Sequence, residues 1–424
     1  MRPFRFVHAA DIHLDSPFKG ITKGMSESNA KRVRESTFDA FHDIISLCIT
    51  EKVDALLIAG DVYDGADRSF KAQIRFISEL KRLSDLGIRS YICHGNHDPL
   101  DGWQNRLDFP EYSYRFSSEA QSFSLFEDSP EEVKIHGISY PTREVRKTLI
   151  PKFAGLKKGK FNIGLLHANV GGDINHESYA PCSVSDLVET EYDYWALGHV
   201  HNQKVLKTHS PTIVYPGNPQ SRHINEDGPR GIYLVEVDEA KNVRLEFKEI
   251  GLIRWEKIEI SVHDIDTEQL LIDRLKTALN VRLQESHGRS LVVRIILKGQ
   301  TPIHLSISRE GFAEELRDYL NEENGHVLQF IWCDKIQVST WPSINRKERS
   351  QGNDFIAEML KLTDRFLTEE ASVDQLTEEV ASIYSIGKVG KYSKQFTPKR
   401  EDVKEILKEA ESLYITGLLG DEDQ

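Results

Sequence analysis

Cys93-His94-Gly95-Asn96-His97-Asp98 decides the reading of this chain. The six residues follow the run Ile88 to Ile92 and stop at Pro99, so a strand runs into a tight loop that a helix cannot occupy. Polar clusters at strand exits are where α/β proteins place their chemistry. Gly95 lets the backbone turn, Asn96 offers a neutral amide oxygen, His97 can move a proton near pH 7, and Asp98 is a carboxylate able to orient a neighbour. Alone, Gly-Asn-His-Asp is more often a polar turn than a site. Its weight comes from what stands on either side.

Upstream, the same layout occurs twice. Residues 4–10 form an apolar run ending in Asp11-Ile12-His13, and residues 54–59 form a second, apolar enough for a buried parallel strand, ending in Gly60-Asp61-Val62-Tyr63-Asp64. Between them Val33, Phe38, Phe41, Ile44, Ile45 and Leu47 recur at near-helical spacing over 29–51. A second amphipathic helix over 70–86, stopped by Gly87, leads into the opening stretch. The order is β-α-β-α-β with acids or imidazoles at all three strand ends.

Downstream, an irregular aromatic stretch to Phe126 gives way to a strand over 133–140 and a basic segment over 143–160, which reads equally well as a solvated surface or a phosphate-steering patch. Strands over 161–166 and 194–197 end in His167 and in Gly198-His199-Val200-His201. Residues 212–215 lead into Pro216-Gly217-Asn218-Pro219-Gln220, and 231–237 with 243–247 read as a closing hairpin. Near Gly251 the composition shifts to a β-α-β-α-β pattern with no metal-type residues at strand ends, and from Asn345 onward only amphipathic helices remain, interrupted by a Gly/Lys/Ser linker over 387–394. The expected organisation is therefore a first domain over 1–250, a small α+β domain over 251–342 and a helical segment over 343–424.

Bulk properties narrow the classes. No run approaches the roughly 18 apolar residues of a membrane span, and no signal-type apolar stretch opens the chain. The four cysteines (Cys48, Cys93, Cys182 and Cys333) contain no C-x-x-C pair, against a disulfide framework or a zinc ribbon and in keeping with a reducing cytoplasm. A net charge of −13 disfavours a surface that grips nucleic acid throughout, but leaves room for a local groove or for cations that reverse the sign.

Two divalent ions about 3.5 to 4 Å apart can clamp a phosphate and activate water for in-line attack, provided hard or borderline ligands converge from several strands. Asp11, His13, Asp61, Asn96, His167, His199 and His201 all stand at or just past expected strand ends and would gather at one rim. Asp61 suits the bridging position, because one carboxylate can give an oxygen to each ion. Mixed N/O ligation without thiolate favours manganese, with iron or zinc as alternatives.

Asp11-x-His13, Gly60-Asp61, Gly95-Asn96-His97-Asp98, Gly164-x-x-His167 and Gly198-His199-x-His201 together resemble the calcineurin-like metallophosphoesterase signature. FVHAADIHLDSPF, GDVYD, CHGNHDP and YPGNPQ resemble more closely the SbcD-type DNA repair exonucleases, in particular a Bacillus YhaO-like subgroup. The motifs cover residues 1 to about 250, and the remainder matches in layout only. The resemblance implies an α/β fold, a metallophosphoesterase β-sandwich flanked by helices, with a capping domain over 251–342 and a C-terminal partner-docking segment. It implies that Asp11, His13, Asp61 and His201 hold one ion and that Asp61, Asn96, His167 and His199 hold the other. His97 would protonate the leaving oxygen or stabilise the transition state, with Asp98 orienting it. Where archaeal and eukaryotic relatives carry a histidine three residues after the bridging aspartate, this chain has Asp64.

The function implied is a dinuclear, metal-dependent phosphodiester hydrolase, a DNA exonuclease subunit of a double-strand-break repair complex. Its partners would be DNA, held in a salt-sensitive manner, and an SbcC-like coiled-coil ATPase on the C-terminal helices, with a homodimer also open. Two other readings stand beside it: a phosphatase or phosphodiesterase acting on a small nucleotide or phosphoprotein, and a scaffold without catalysis. The complete ligand set with His97 argues against the scaffold.

Overall fold

The computed structural model describes residues 1–18, 20–64, 69–102, 107–156, 158–172, 179–324, 329–343, 346–384 and 397–422. The expected linker over 387–394 lies outside the described residues. The described chain forms two compact units. One comprises Met1–Lys257, Arg282–Val293 and Glu322–Trp332; the other comprises Ile258–Val281, Arg294–Asn321 and Cys333–Gln424. The first unit thus includes pieces of the 251–342 stretch.

The first unit is built on two six-stranded sheets. In one, β1 (Phe4–Ala9), β2 (Ala55–Ala59), β3 (Arg89–Cys93) and β4 (Ser113–Arg115) run parallel. The other holds β5 (Gln121–Ser124), β6 (Val133–Gly137), β7 (Phe161–His167), β8 (Tyr194–Gly198), β9 (Lys204–Lys207) and β10 (Thr212–Tyr215), ordered β5-β6-β7-β8-β10-β9. Its central strands β6, β7, β8 and β10 are parallel, and its two edge strands are antiparallel. The hairpin of β11 (Arg230–Val237) and β12 (Val243–Ile250) joins the first sheet antiparallel to β1, with Phe6 opposite Val235. β4, β5 and β9 carry half-buried or exposed polar residues, which is why no apolar pattern announces them.

Two helices cover the first sheet. α1 (Glu27–Thr50) starts where Ser26 Oγ accepts from Asn29 N at 3.3 Å, and α2 (Phe70–Ser84) where Ser69 Oγ accepts from Ala72 N at 3.0 Å. The alternation of β1 then divides the core: Val7 and Ala9 pack with Phe41, Ile44, Phe76 and Leu80 of the helices, while Phe4 and Phe6 face the second sheet. There Phe4 meets Phe161 edge-on at 5.5 Å between ring centroids and Phe6 meets Tyr194 at 5.1 Å. The outer face of the second sheet packs Leu166, Trp195 and Leu197 with Phe153 and with Leu187 of the short α3 (Val184–Glu189). With apolar side chains on both faces, the strands are continuous buried runs, and the ends of β1, β2, β3, β7 and β8 converge. The fold of this unit is an α/β sandwich of two sheets flanked by helices.

β13 (Ile253–Ser261), β14 (Ser290–Thr301) and β15 (Ile331–Pro342) form a three-stranded sheet. Between them run α4 (Glu268–Glu285), α5 (His304–Ser308) and α6 (Phe312–Asn324). The chain ends in α7 (Arg346–Arg349), α8 (Phe355–Thr368), α9 (Glu370–Ile383) and α10 (Arg400–Glu422). Ile356 and Leu360 of α8 are buried against Ile415 of α10, whereas Phe355, Leu362, Leu413 and Tyr414 are exposed. The apolar face of α8 is thus split between internal packing and surface.

Candidate metal centre

The loops after β1 and β2 continue to pair beyond the strands: Asp11 N donates to Gly60 O, His13 N to Asp61 O and Leu14 N to Val62 O, at 3.1, 3.0 and 2.9 Å. To do so, Asp11, His13 and Asp61 take left-handed φ values of 51°, 48° and 51°, and His199 after β8 sits at 101°. Non-glycine residues held there cost about 1 to 3 kcal/mol each, a strain found where structure serves a site. All four are among the expected ligands. Gly95 is required sterically, because a Cβ there would overlap Asp61 Oδ1 and the His167 ring.

The expected ligands converge in two groups that share Asp11. Ligand atoms of Asp11, His13 and His201 lie within 4.8 Å of one another, as do those of Asp11, Asp61 and His167. Asp61 Oδ2, in the second group 3.4 Å from His167 Nε2, also lies 3.9 Å from His13 Nε2 of the first. Asn96 Oδ1 is 3.0 Å from His167 Nε2 and 3.3 Å from His199 Nδ1. Backbone contacts hold the arrangement: His97 N donates to Asp61 Oδ1 at 2.9 Å, and His199 N donates to Asp11 Oδ2 at 3.0 Å. His167 Nδ1 is fixed on Ala59 O at 2.9 Å, which leaves Nε2 turned to Asp61 and Asn96.

Burial and charge act against each other in this cluster. Burial pushes Asp11 up and His13 down to about 3, each toward its neutral form. Burial works on Asp61 in the same sense, but the neighbouring His167 outweighs it and holds Asp61 well below the usual carboxylate range. His167 is correspondingly raised to about 9, the Asp61 charge overcoming burial. His13 Nδ1 is buried without a hydrogen bond, its nearest acid Asp64 lying at 3.7 Å. Carboxylate, amide and imidazole donors in this geometry fit divalent ions such as manganese, iron or zinc.

One expected role is corrected. Asp98 does not orient His97: its Oδ2 accepts from Val62 N and lies 2.9 Å from His94 Nδ1, and its Oδ1 accepts from Gly95 N at 2.7 Å. It is fully buried and ties the β2 and β3 exits together. The carboxylate at His97 is Asp64, whose Oδ1 is 3.0 Å from His97 Nδ1. Residue 98 follows 97 on a turn that sends successive side chains apart, so adjacency in sequence misleads. Asp64 is itself held by Ser16 Oγ at 2.6 Å and Arg222 Nη1 at 3.3 Å. Burial works against charge on His97, but Asp64 and Asp61 prevail and raise it above the ordinary imidazole value. Ser16, Arg222 and Glu226, which lies 2.7 Å from His201 Nδ1, escaped the sequence reading. Only Asp64, three residues after Asp61 in Gly-Asp-Val-Tyr-Asp, left a visible sign.

Paired donor groups at the ends of a parallel-stranded sandwich define a metal-dependent phosphoester hydrolase. The chain belongs to the calcineurin-like phosphoesterase family: residues 4–203 match that family's model and residues 255–341 match the middle domain of the metallophosphoesterase YhaO. It is 35% identical over 328 residues to an uncharacterized metallophosphoesterase, YhaO, of Bacillus subtilis, covering 77% of this chain and 79% of that protein. It is 26% identical over 293 residues to the DNA double-strand break repair protein Mre11 of Methanopyrus kandleri, covering 62% and 60% of the two. With the Mre11 of Sulfolobus acidocaldarius it shares 22% over 375 residues, covering 84% and 90%. Among the described residues no helix is long and apolar enough to cross a membrane, and all four cysteines are buried and free.

Proposed function

We propose that this protein is a manganese-supported DNA exonuclease, the nuclease subunit of a cytoplasmic double-strand-break repair complex. The observation that carries the chemistry is the meeting of two Asp/His groups with His97, held by Asp64 at 3.0 Å. Ions bound there supply Lewis-acid charge on the phosphate and lower the pKa of water. Asp11, His13, Asp61 and His201 would hold one ion, and Asp61, Asn96, His167 and His199 the other. His97 Nδ1–H donates to Asp64, which fixes the ring and leaves Nε2 to give a proton to the departing oxygen. Similarity to proteins named for double-strand break repair supports DNA as the substrate. Exposed Phe355, Leu362, Leu413 and Tyr414 support docking of a partner's helices, for which an SbcC-like ATPase is the proposed occupant.

A small nucleotide or a phosphoprotein is the second reading, favoured by the net charge of −13, which opposes a polyanion. The deciding experiment gives the full chain with manganese an end-labelled linear DNA, a chromogenic phosphodiester and a phosphomonoester. Progressive shortening of the DNA is expected. Turnover of the phosphomonoester alone rejects the nuclease reading.

A further inference from the structure

Behind His201 lies a carboxylate to which the ligand set assigns no task. Glu226 is 3% exposed, and its Oε1 is 2.7 Å from His201 Nδ1. Its Oε2 accepts from Asn218 Nδ2 at 2.9 Å and from Arg222 N at 2.7 Å. The Arg222 guanidinium closes the arrangement, with Nη2 3.2 Å from Glu226 Oε1 and Nη1 3.3 Å from Asp64 Oδ2. The other ring nitrogen of His201, Nε2, lies 3.4 Å from His13 Nε2 and so faces the ligand group.

An imidazole ligates only through a nitrogen that carries no proton, and a carboxylate on the opposite nitrogen keeps the proton there. We propose that Glu226 is a positioning residue for the ion shared by Asp11, His13, Asp61 and His201. It fixes the His201 tautomer and ring plane, while Arg222 ties that carboxylate to Asp64 and through it to His97. The inference rests on the metal reading of the site.

The atoms separate this role from simple loop stapling. Oε2 meets two donors, so an amide at position 226 turns its oxygen toward Asn218 and Arg222 N and its NH₂ toward His201 Nδ1. The two contacts of Oε2, with Asn218 and Arg222 N, survive that exchange, while the contact of Arg222 Nη2 with Oε1 is lost. Nδ1 must then accept, the proton moves to Nε2, and the ligating lone pair is lost. A stapling role predicts no effect on metal from Glu226→Gln; a positioning role predicts a selective loss.

The test titrates manganese into the metal-free full chain by calorimetry and follows ¹⁵N shifts of the histidine rings by NMR. Wild type is expected to take up two ions, with His201 protonated at Nδ1 before metal is added. Glu226→Gln is expected to weaken one ion about 10- to 100-fold, to leave the other within about twofold, and to move the His201 proton to Nε2. His223→Ala is the control, because His223 approaches the same Oε1 at 3.4 Å with an exposed ring, and both ions should remain. Two wild-type affinities in a folded Glu226→Gln protein overturn the inference alone. No uptake by wild type overturns the metal reading and the inference with it. Should Glu226→Gln fail to fold, Glu226→Asp, which draws the acceptor back by one methylene, is expected to weaken the same single ion without moving the His201 proton, and two wild-type affinities overturn the inference.

Discussion

Asp64 Oδ1 lies 3.0 Å from His97 Nδ1, while Asp98, the chain neighbour of His97, turns away to His94, Gly95 N and Val62 N. The two acids therefore have separate tasks. In the proposed reaction Asp64 would act through His97, whereas Asp98 ties strand exits together.

That division is testable by paired substitutions. Asp64→Asn should lower turnover about 10- to 100-fold with two ions retained, and His97→Ala should lower it by about 10² to 10⁴. Asp98→Asn should instead lower the urea midpoint of unfolding, because it leaves buried donors poorly matched. Equal turnover losses in Asp64→Asn and Asp98→Asn, with equal stability, would remove the distinction.

Asp61 reaches toward members of both candidate ligand groups, 3.9 Å from His13 Nε2 and 3.4 Å from His167 Nε2. Replacing it by Asn should weaken both ions together. Metal analysis that finds one ion held at wild-type affinity would assign the bridge elsewhere.

Away from the ligands, His8 is fully buried between Tyr194 Oη and Leu197 O, at 3.0 and 3.1 Å, and burial pushes it down to about 3. An unfolded histidine titrates near 6.5, so below that pH the unfolded chain binds a proton that the folded chain refuses. The His8 contribution is therefore fully present above about pH 6.5 and is lost progressively as pH falls toward 3. His8→Gln should remove about 1.4 kcal/mol per pH unit from the acid slope of stability. Urea unfolding at several pH values between 7.5 and 5 measures it; parallel profiles for the two proteins would contradict the assignment.

The apolar runs ending in Asp11, Asp61, Asn96, His167 and His199 made the parallel strands and their shared rim legible, because a strand buried on both faces has to be apolar throughout. β4, β5 and β9 were illegible for the opposite reason, since their half-exposed polar residues carry no period. The candidate ligands could be proposed because each is chemically suited and sits at a strand end. The residues behind them could not. Glu226 reaches His201 across 25 positions and Arg222 reaches Asp64 across 158, and no local pattern encodes such a pairing.

The helices beyond residue 345 provide a separate test. Ile356, Leu360 and Ile415 form a small core of their own, with Phe355, Leu362, Leu413 and Tyr414 left exposed. Truncation after residue 345 should preserve manganese-dependent cleavage of a chromogenic phosphodiester and abolish co-purification with an SbcC-like ATPase. Loss of metal or of folding in the truncated chain would place these helices in the core instead.

The central claim is that Asp11, His13, Asp61, Asn96, His167, His199 and His201 build two ion positions that serve one reaction. Manganese titrated into the metal-free full chain, with bound metal and phosphodiester cleavage read from the same samples, tests it most directly. Two ions per chain are predicted, with cleavage rising as the second position fills. Saturation at a single ion with full activity, or full activity in the metal-free chain, would contradict it.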